Sequence, residues 1–294
     1  MPMSWMNDHY RELRDLTDAR LQDLFAEDEP FARLNEAMRY SLLAGGKRLR
    51  PVLALAFCEV CGAPAETALD PACALELLHT YSLIHDDLPC MDDDELRRGK
   101  PTSHVVFGEG TAVLAGDCLQ AEAFALLLSS RMEPERVVAM ARALSQAAGL
   151  YGICGAQALD LAAEGQPLTG EQLVRIHHGK TAALLTAAAE IGVIAGGGGP
   201  DEMEAARTYA ADVGLAFQIR DDVLDVISTN EELGKPVGSD AANGKTTFVT
   251  LYGQERCDAM IRDLTEHACE SLKGVFPCPD FLVWLARYMA ERKK

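Results

Sequence analysis

The chain has 294 residues, 48% hydrophobic and 24% charged, with 45 acidic against 27 basic side chains for a formal charge of -18. That length buries a sizeable core, the composition is globular, and the acidic balance argues against a nucleic-acid partner, whose phosphates need a basic face. Nine cysteines amid mostly apolar neighbours fit reduced, buried thiols better than a disulfide framework.

The N-terminal stretch MPMSWMNDHYRELRDL lacks a signal-peptide core, and no apolar run reaches the length of a membrane span. With the thiols, this predicts a cytoplasmic protein with no membrane span. Ala, Leu, Glu, Arg and Met dominate, and apolar residues recur at three- and four-residue spacing, so helices are predicted nearly throughout, without alternating strands. Breaks fall at Gly45-Gly46, Gly62 to Pro64, Pro89, Gly99 to Pro101, Gly108 to Gly110, Gly165 to Pro167, Gly196 to Pro200, Gly234 to Gly244 and Phe276 to Pro279. The Gly196 to Pro200 run is the best boundary candidate, but helical patterning resumes at once. The predicted fold is one all-α domain over residues 1–294.

The first chemical feature is a basic knot, Lys47, Arg48 and Arg50, which makes local anion binding possible on an acidic protein. Cys58-x-x-Cys61 lies in an apolar helical run with only Cys73 as a nearby third ligand, short of a closed zinc site. From Ala74 to Ile84 a stripe of Ala74, Leu77, Leu78, Tyr81 and Ile84 predicts a packed helix that ends at Asp86-Asp87. A second run, Asp92-Asp93-Asp94-Glu95, follows, with Arg97-Arg98-x-Lys100 behind it. Pro89 forbids a regular helix between the two, so the chain must turn there and can bring Asp92 back beside Asp86. An EF-hand is a poor fit, for want of the central glycine and the ligand spacing.

Farther on, His178-Gly179-Lys180-Thr181 and Gly244-Lys245-Thr246 are near-matches to a phosphate-binding P-loop, but the glycine spacing is wrong and no strand precedes either. Both lysines can still meet phosphate as point charges. In GLAFQIRDDVLDVI, Asp221 and Asp225 stand four residues apart on a helical stretch, with Asp222 between them and Lys235 behind. Carboxylates at that spacing share a face and repel, a liability that a divalent cation would turn into a ligand pair. Hard cations want carboxylate oxygens, and diphosphates want both metal ions and Arg or Lys, so the two clusters suggest a metal–diphosphate site with two walls.

Five segments occur in order: GGKRLRP, ELLHTYSLIHDDLPCMDDDELRRGKPT, HGKT, FQIRDDVLD and ELGKPVGSDAANGKTT. Together they resemble the trans-isoprenyl diphosphate synthases, most like the bacterial farnesyl branch, from about Leu43 to Thr250 and more weakly to the C-terminus. The resemblance implies the isoprenoid synthase fold, a helical bundle around a deep central cavity with the two Asp motifs on facing helices near its mouth. By motif, Asp86 and Asp92 bind Mg²⁺ with Asp87 supporting, and Asp221, Asp222 and Asp225 bind from the other wall, about three ions per site. Arg97, Lys180 and Lys235 hold the allylic diphosphate; Lys47, Arg50, His79 and Arg98 hold isopentenyl diphosphate; Thr181 and Gln218 line the cationic centre. A homodimer is also implied.

Tyr81, with Ser82 beside it, lies five residues before Asp86, about 7.5 Å deeper along a helix. The resemblance makes this aromatic a floor that limits chain length and points to a farnesyl product. A geranylgeranyl diphosphate synthase is the near alternative, because DDLPCMDDDELRRGKPT is shared with that subgroup. A terpene cyclase fits less well, since its second motif carries Asn, Ser or Glu ligands, and a non-catalytic subunit would lose one of the Asp motifs. Two positions depart from the pattern, Arg220 before the second Asp pair and Val249 after the GKxT loop. The terminal Arg292-Lys293-Lys294 could close over a diphosphate. His85, His177 and His178 match no role and are read as structural.

Overall fold

In the computed structural model, which describes residues 3–25, 30–163, 165–227 and 246–292, the predicted all-α architecture is found. The helices in chain order are α1 (Met3–Gln22), α2 (Ala32–Leu42), α3 (Leu49–Val60), α4 (Leu69–Asp86), α5 (Ser103–Phe107), α6 (Glu109–Leu128), α7 (Pro134–Ala148), α8 (Ile153–Ala162), α9 (Gly170–His177), α10 (Ala183–Gly196), α11 (Pro200–Ile227), α12 (Phe248–Tyr252), α13 (Gln254–Ser271) and α14 (Asp280–Ala290). A π turn, His178–Ala182, joins α9 to α10.

Three of these helices are apolar on nearly every side and so occupy the centre. They are α3, α4, buried at almost every position from Pro71 to Ser82, and α10. Leu53, Leu55, Leu75, Leu77 and Leu78 are all fully buried among them, each side chain worth about 1.5–3 kcal/mol of transfer free energy. Helix α6 covers α4, while α7 and α11 flank α10. A smaller apolar cluster of Leu173, Ile219, Val223, Phe248 and Ile261 ties α9, α11, α12 and α13 together.

The described breaks that the sequence placed are present, but the chain also breaks at residues 129–133 and 149–152, where none was placed. Gly197, at φ 78°, ends α10 in the left-handed conformation and Pro200 opens α11, so the glycine run is a helix–helix turn. The Gly234 to Gly244 break lies outside the described residues. One break holds a feature the sequence reading passed over: a two-stranded ribbon, β1 (Leu96–Arg97) with β2 (Lys100–Pro101), pairing Arg97 with Lys100. Its two-residue turn puts Arg98 at φ 54° and Gly99 at φ 74°, the geometry that favours glycine and matches strand twist. Strands this short carry no alternation to detect.

Three stretches, Glu109–Leu128, Pro134–Ala162 and Gly170–Gly196, are long and apolar enough to cross a membrane by length and composition, contrary to the sequence expectation. That expectation looked for unbroken apolar runs and passed over helices whose scattered polar residues, such as Gln120 and Glu122, leave the mean hydropathy high. Gly170–Gly196 is 67% buried within the protein, whereas Glu109–Leu128 is only 33% buried.

Candidate active site

Helix α4 delivers the first acidic wall. Its last residue is Asp86, Asp87 caps it, and Pro89 stops it from continuing. The chain then curls: Met91 N–H donates to Leu88 O at 2.8 Å, and Asp92 N–H donates to Asp86 O at 2.8 Å. The expected turn is therefore present, with Asp92 folded back onto Asp86. Both stand at the negative end of the helix dipole, a poor place for carboxylates without a cation. Burial, with Asp92 adding to it, pushes the Asp86 carboxyl up to about 6, while Lys180 and Arg97 pull it back.

Arg97, carried by the ribbon, lies with its Nε 2.6 Å from Asp87 Oδ1 and its Nη2 3.4 Å from Asp94. Asp87 is buried and paired with this arginine. Lys180 sits on the π turn, an irregularity frequent at functional sites. Two glycines let neighbouring helices crowd that turn. A Cβ on Gly179 would stand 2.6 Å from Ala156 Cβ of α8, and one on Gly214 of α11 2.6 Å from Ala182 Cβ. Lys180 Nζ thereby reaches Asp160 Oδ2 at 2.9 Å, and Thr181 Oγ1 donates to Gln218 Oε1 at 2.6 Å. Burial works against the Lys180 charge, but Asp160 and Asp86 outweigh it and raise its pKa.

The second wall is the C-terminal part of α11. Asp221 is half-exposed and ion-paired with Arg292, whose guanidinium lies 3.6 Å from the Phe217 ring centroid. Asp222 is buried, and its Oδ2 accepts the Phe248 N–H at 2.8 Å, tying the start of α12 to α11. Asp225 is buried too. The spacing reading put Asp221 and Asp225 on one face as a ligand pair; in the structure Asp221 is half-exposed and Asp225 is buried. Arg220 is also accounted for: its Nε donates to Arg292 O at 3.1 Å.

The basic knot divides in two. Arg48 is internal: its Nε binds Asp18 at 2.8 Å, Nη1 binds Glu76 at 2.7 Å, and Nη2 binds Leu42 O at 2.9 Å. Arg50 points elsewhere. Burial pulls its pKa down to about 10, and its Nε has no hydrogen-bond partner. His79, two turns before Asp86 on α4, is held neutral by burial and by the surrounding Arg50, Arg98, Arg97 and Arg48. Arg98 donates to Gly45 O. Lys47 is lowered by burial and by Arg292, and Asp221 opposes the shift, which places it beside the second wall. Arg50, His79 and Arg98 thus lie within electrostatic reach of one another, and Lys47 within reach of Asp221 and Arg292. Lys235 and the terminal Lys293-Lys294 lie outside the described residues.

Tyr81 is buried, with its ring edge-on to His85 at 5.7 Å and its hydroxyl 3.4 Å from Cys154 Sγ of α8. Ser82 is also buried, and its Oγ donates to His79 O. Two α8 residues were missed from sequence. Asp160 is the partner of Lys180, and Gln157 is a buried amide whose Oε1 and Nε2 both lack a partner. Their i,i+3 spacing in GAQALD was the available signal.

The donor set fits Mg²⁺. Asp86 and Asp92 offer carboxylate oxygens at a helix end that disfavours their charge, and Asp221 is half-exposed beside a basic side chain. Among the described residues no three carboxylate, histidine or thiol groups converge closely enough to hold an ion alone. Mg²⁺ is usually bound through one or two carboxylates, with substrate phosphates and water completing its shell.

The polyprenyl synthetase family matches residues 31–274. Geranylgeranyl pyrophosphate synthase 3, chloroplastic, of Arabidopsis thaliana is 50% identical over 266 residues, covering 88% of this chain and 74% of that protein. The heterodimeric geranylgeranyl pyrophosphate synthase large subunit 1, chloroplastic, of the same plant is 46% identical over 291 residues, covering 95% and 77%. Among solved structures, an FPP/GFPP synthase from Zymomonas mobilis superposes with a TM-score of 0.87 at 38% identity, covering 97% of this chain and 98% of that one. A geranyltransferase from Helicobacter pylori, complexed with magnesium and isoprenyl diphosphate, superposes with a TM-score of 0.85 at 35% identity, covering 95% and 94%. The cytoplasmic location expected from composition is overturned, since the curated relatives are named as chloroplast enzymes; reduced thiols do not distinguish the two compartments. The chain belongs to the polyprenyl synthetase family, the trans-isoprenyl diphosphate synthases that its motifs resemble.

Proposed function

We propose that this site condenses isopentenyl diphosphate with an allylic diphosphate and that the product is geranylgeranyl diphosphate. The chemistry rests on one arrangement: the Asp86–Asp92 turn lies two helical turns from His79, on which the charges of Arg50 and Arg98 act. Product length rests on the relatives, at 46–50% identity and named for geranylgeranyl products. Their names also point to a plastid setting.

Each residue has a task in this reading. Arg97, Lys180 and Lys235 hold the allylic diphosphate; Lys47, Arg50, His79 and Arg98 hold isopentenyl diphosphate. Asp86, Asp92 and Asp221 are the metal ligands, with Asp87 positioning Arg97, and Asp222 and Asp225 securing the second wall. When bound, Mg²⁺ supplies the concentrated positive charge that lets the diphosphate leave from an allylic carbon. Thr181 and Gln218 turn their dipoles toward the carbocation, and the apolar walls below keep water from quenching it. Holding the second double bond beside the cation is a positioning effect. The released diphosphate accepts the final proton. The homodimer belongs to the same proposal: Val105, Val106, Val113 and Leu114 on α5 and α6 offer a second copy an exposed apolar face.

A farnesyl product is the second reading, favoured by Tyr81, a buried aromatic five residues before Asp86 that touches Cys154 and His85. The test is incubation with Mg²⁺, labelled isopentenyl diphosphate and, in separate tubes, dimethylallyl, geranyl or farnesyl diphosphate, followed by chain-length analysis. A C20 product from every starter supports the main reading. Arrest at C15, with farnesyl diphosphate unused, supports the second, and no incorporation sinks both.

A further inference from the structure

Two arginines with little solvent exposure, Arg48 and Arg292, are built in opposite ways. Arg48 has a partner on each guanidinium nitrogen, in Asp18, Glu76 and Leu42 O, as expected of a structural ion pair. Arg292 does not. Its Nη2 meets the Asp221 carboxylate and, at 3.2 Å, Phe217 O; its face rests on the Phe217 ring; and its Nε is buried with no partner. A buried charge left half-satisfied is poorly explained as a device for stability alone.

Its position is telling. Arg292 brings a positive charge to the most open carboxylate of the second wall, the place a divalent ion would take. Its anchorage is secure on one side only. A ladder of rings fixes α14 to α1, with Phe281 4.7 Å from His9, Trp284 5.5 Å from Phe281 and Tyr288 5.0 Å from Trp284. Tyr10 of α1 also donates to Lys47 O. Beyond Ala290 the helix has ended, and Arg292 is held by Arg220 through its carbonyl and by Asp221 through its side chain.

We propose that Arg292 is the resident counter-cation of Asp221, and that a divalent ion reaches the second wall by displacing it. The proposal rests on Asp221 as a metal ligand. The guanidinium offsets the charge of Asp221, and it sets a threshold for loading the second wall. Among the described residues no side chain is ion-paired with Asp86 or Asp92: Lys180 and Arg97, whose charges act on Asp86, are themselves paired with Asp160 and Asp87.

The test uses metal alone. Mn²⁺ binding to the full chain without substrate is followed by electron paramagnetic resonance and calorimetry for the wild type, Arg292→Gln, Asp221→Asn and the double variant. A chain shortened to end at Glu291 serves as a second form of the arginine deletion. Arg292→Gln is expected to tighten one class of site roughly tenfold, the scale of one charge-assisted contact. Asp221→Asn is expected to lose that class, and the double variant to gain nothing over it. If Arg292→Gln and the shortened chain bind Mn²⁺ as the wild type does while Asp221→Asn weakens it, the displacement idea is overturned and the ligand role of Asp221 survives. If Asp221→Asn has no effect, both fall.

Discussion

The backbone amide of Asp92 donates to the carbonyl of Asp86 at 2.8 Å, so two residues six apart in sequence stand at one point in space. A regular helix would put them on different faces; the interruption at Pro89 allows the turn. Pro89→Ala is therefore expected to lower turnover by about ten- to a hundredfold through misplacement of Asp92, at nearly unchanged melting temperature. Full activity in steady-state assays across a Mg²⁺ titration would show that the turn holds without the proline.

Tyr81 is braced by His85 at 5.7 Å and Cys154 at 3.4 Å and so is not free to swing aside. Tyr81→Ala removes a ring that would block the growing chain, and the product distribution is expected to shift by at least one five-carbon unit toward longer chains. Unchanged chain lengths by mass spectrometry would dismiss Tyr81 as the floor.

Neighbours in the basic knot are expected to fail differently. Arg48→Gln strands the buried Glu76 and is expected to cost about 3–5 kcal/mol of stability. Lys47→Ala is expected to leave stability within about 0.5 kcal/mol and to raise the KM for isopentenyl diphosphate. Urea melts and kinetics on both variants check the contrast, which disappears if Arg48→Gln melts like the wild type.

His177 sets an acid limit on stability. It stacks on Phe248 at 5.4 Å, and burial pushes its pKa down to about 4. The unfolded chain takes up this proton near pH 6.5, before the folded protein does. This contribution is thus fully present above about pH 6.5 and is lost as pH falls toward 4, at no more than about 1.4 kcal/mol per unit. Replacing His177 with Phe keeps a ring on Phe248 and should flatten that part of the acid limb between pH 7 and 5. A variant whose loss matches the wild type would remove His177 from the account.

Much of this was legible in the sequence because backbone rules govern it. Pro89 announced the turn, Gly196 to Pro200 a helix junction, and the ordered motifs the family. What stayed hidden depends on contacts distant in sequence. Nothing in Lys47-Arg48-x-Arg50 tells which residue turns inward, since the partners of Arg48 sit on α1 and α4. The i,i+4 spacing of Asp221 and Asp225 gave a shared face but not the burial of Asp225. Asp160 was passed over because its i,i+3 spacing from Gln157 is a weak signal until Lys180 is seen 2.9 Å away.

The central claim is that two carboxylate walls act on one diphosphate. The most direct measurement is diphosphate release and prenyl product formation with saturating Mg²⁺ and both substrates, in the wild type, Asp86→Ala and Asp221→Ala. The account predicts turnover in the wild type and a loss on the order of 10³-fold or more in each variant, with circular dichroism and melting preserved. Near-normal turnover in both folded variants would contradict it.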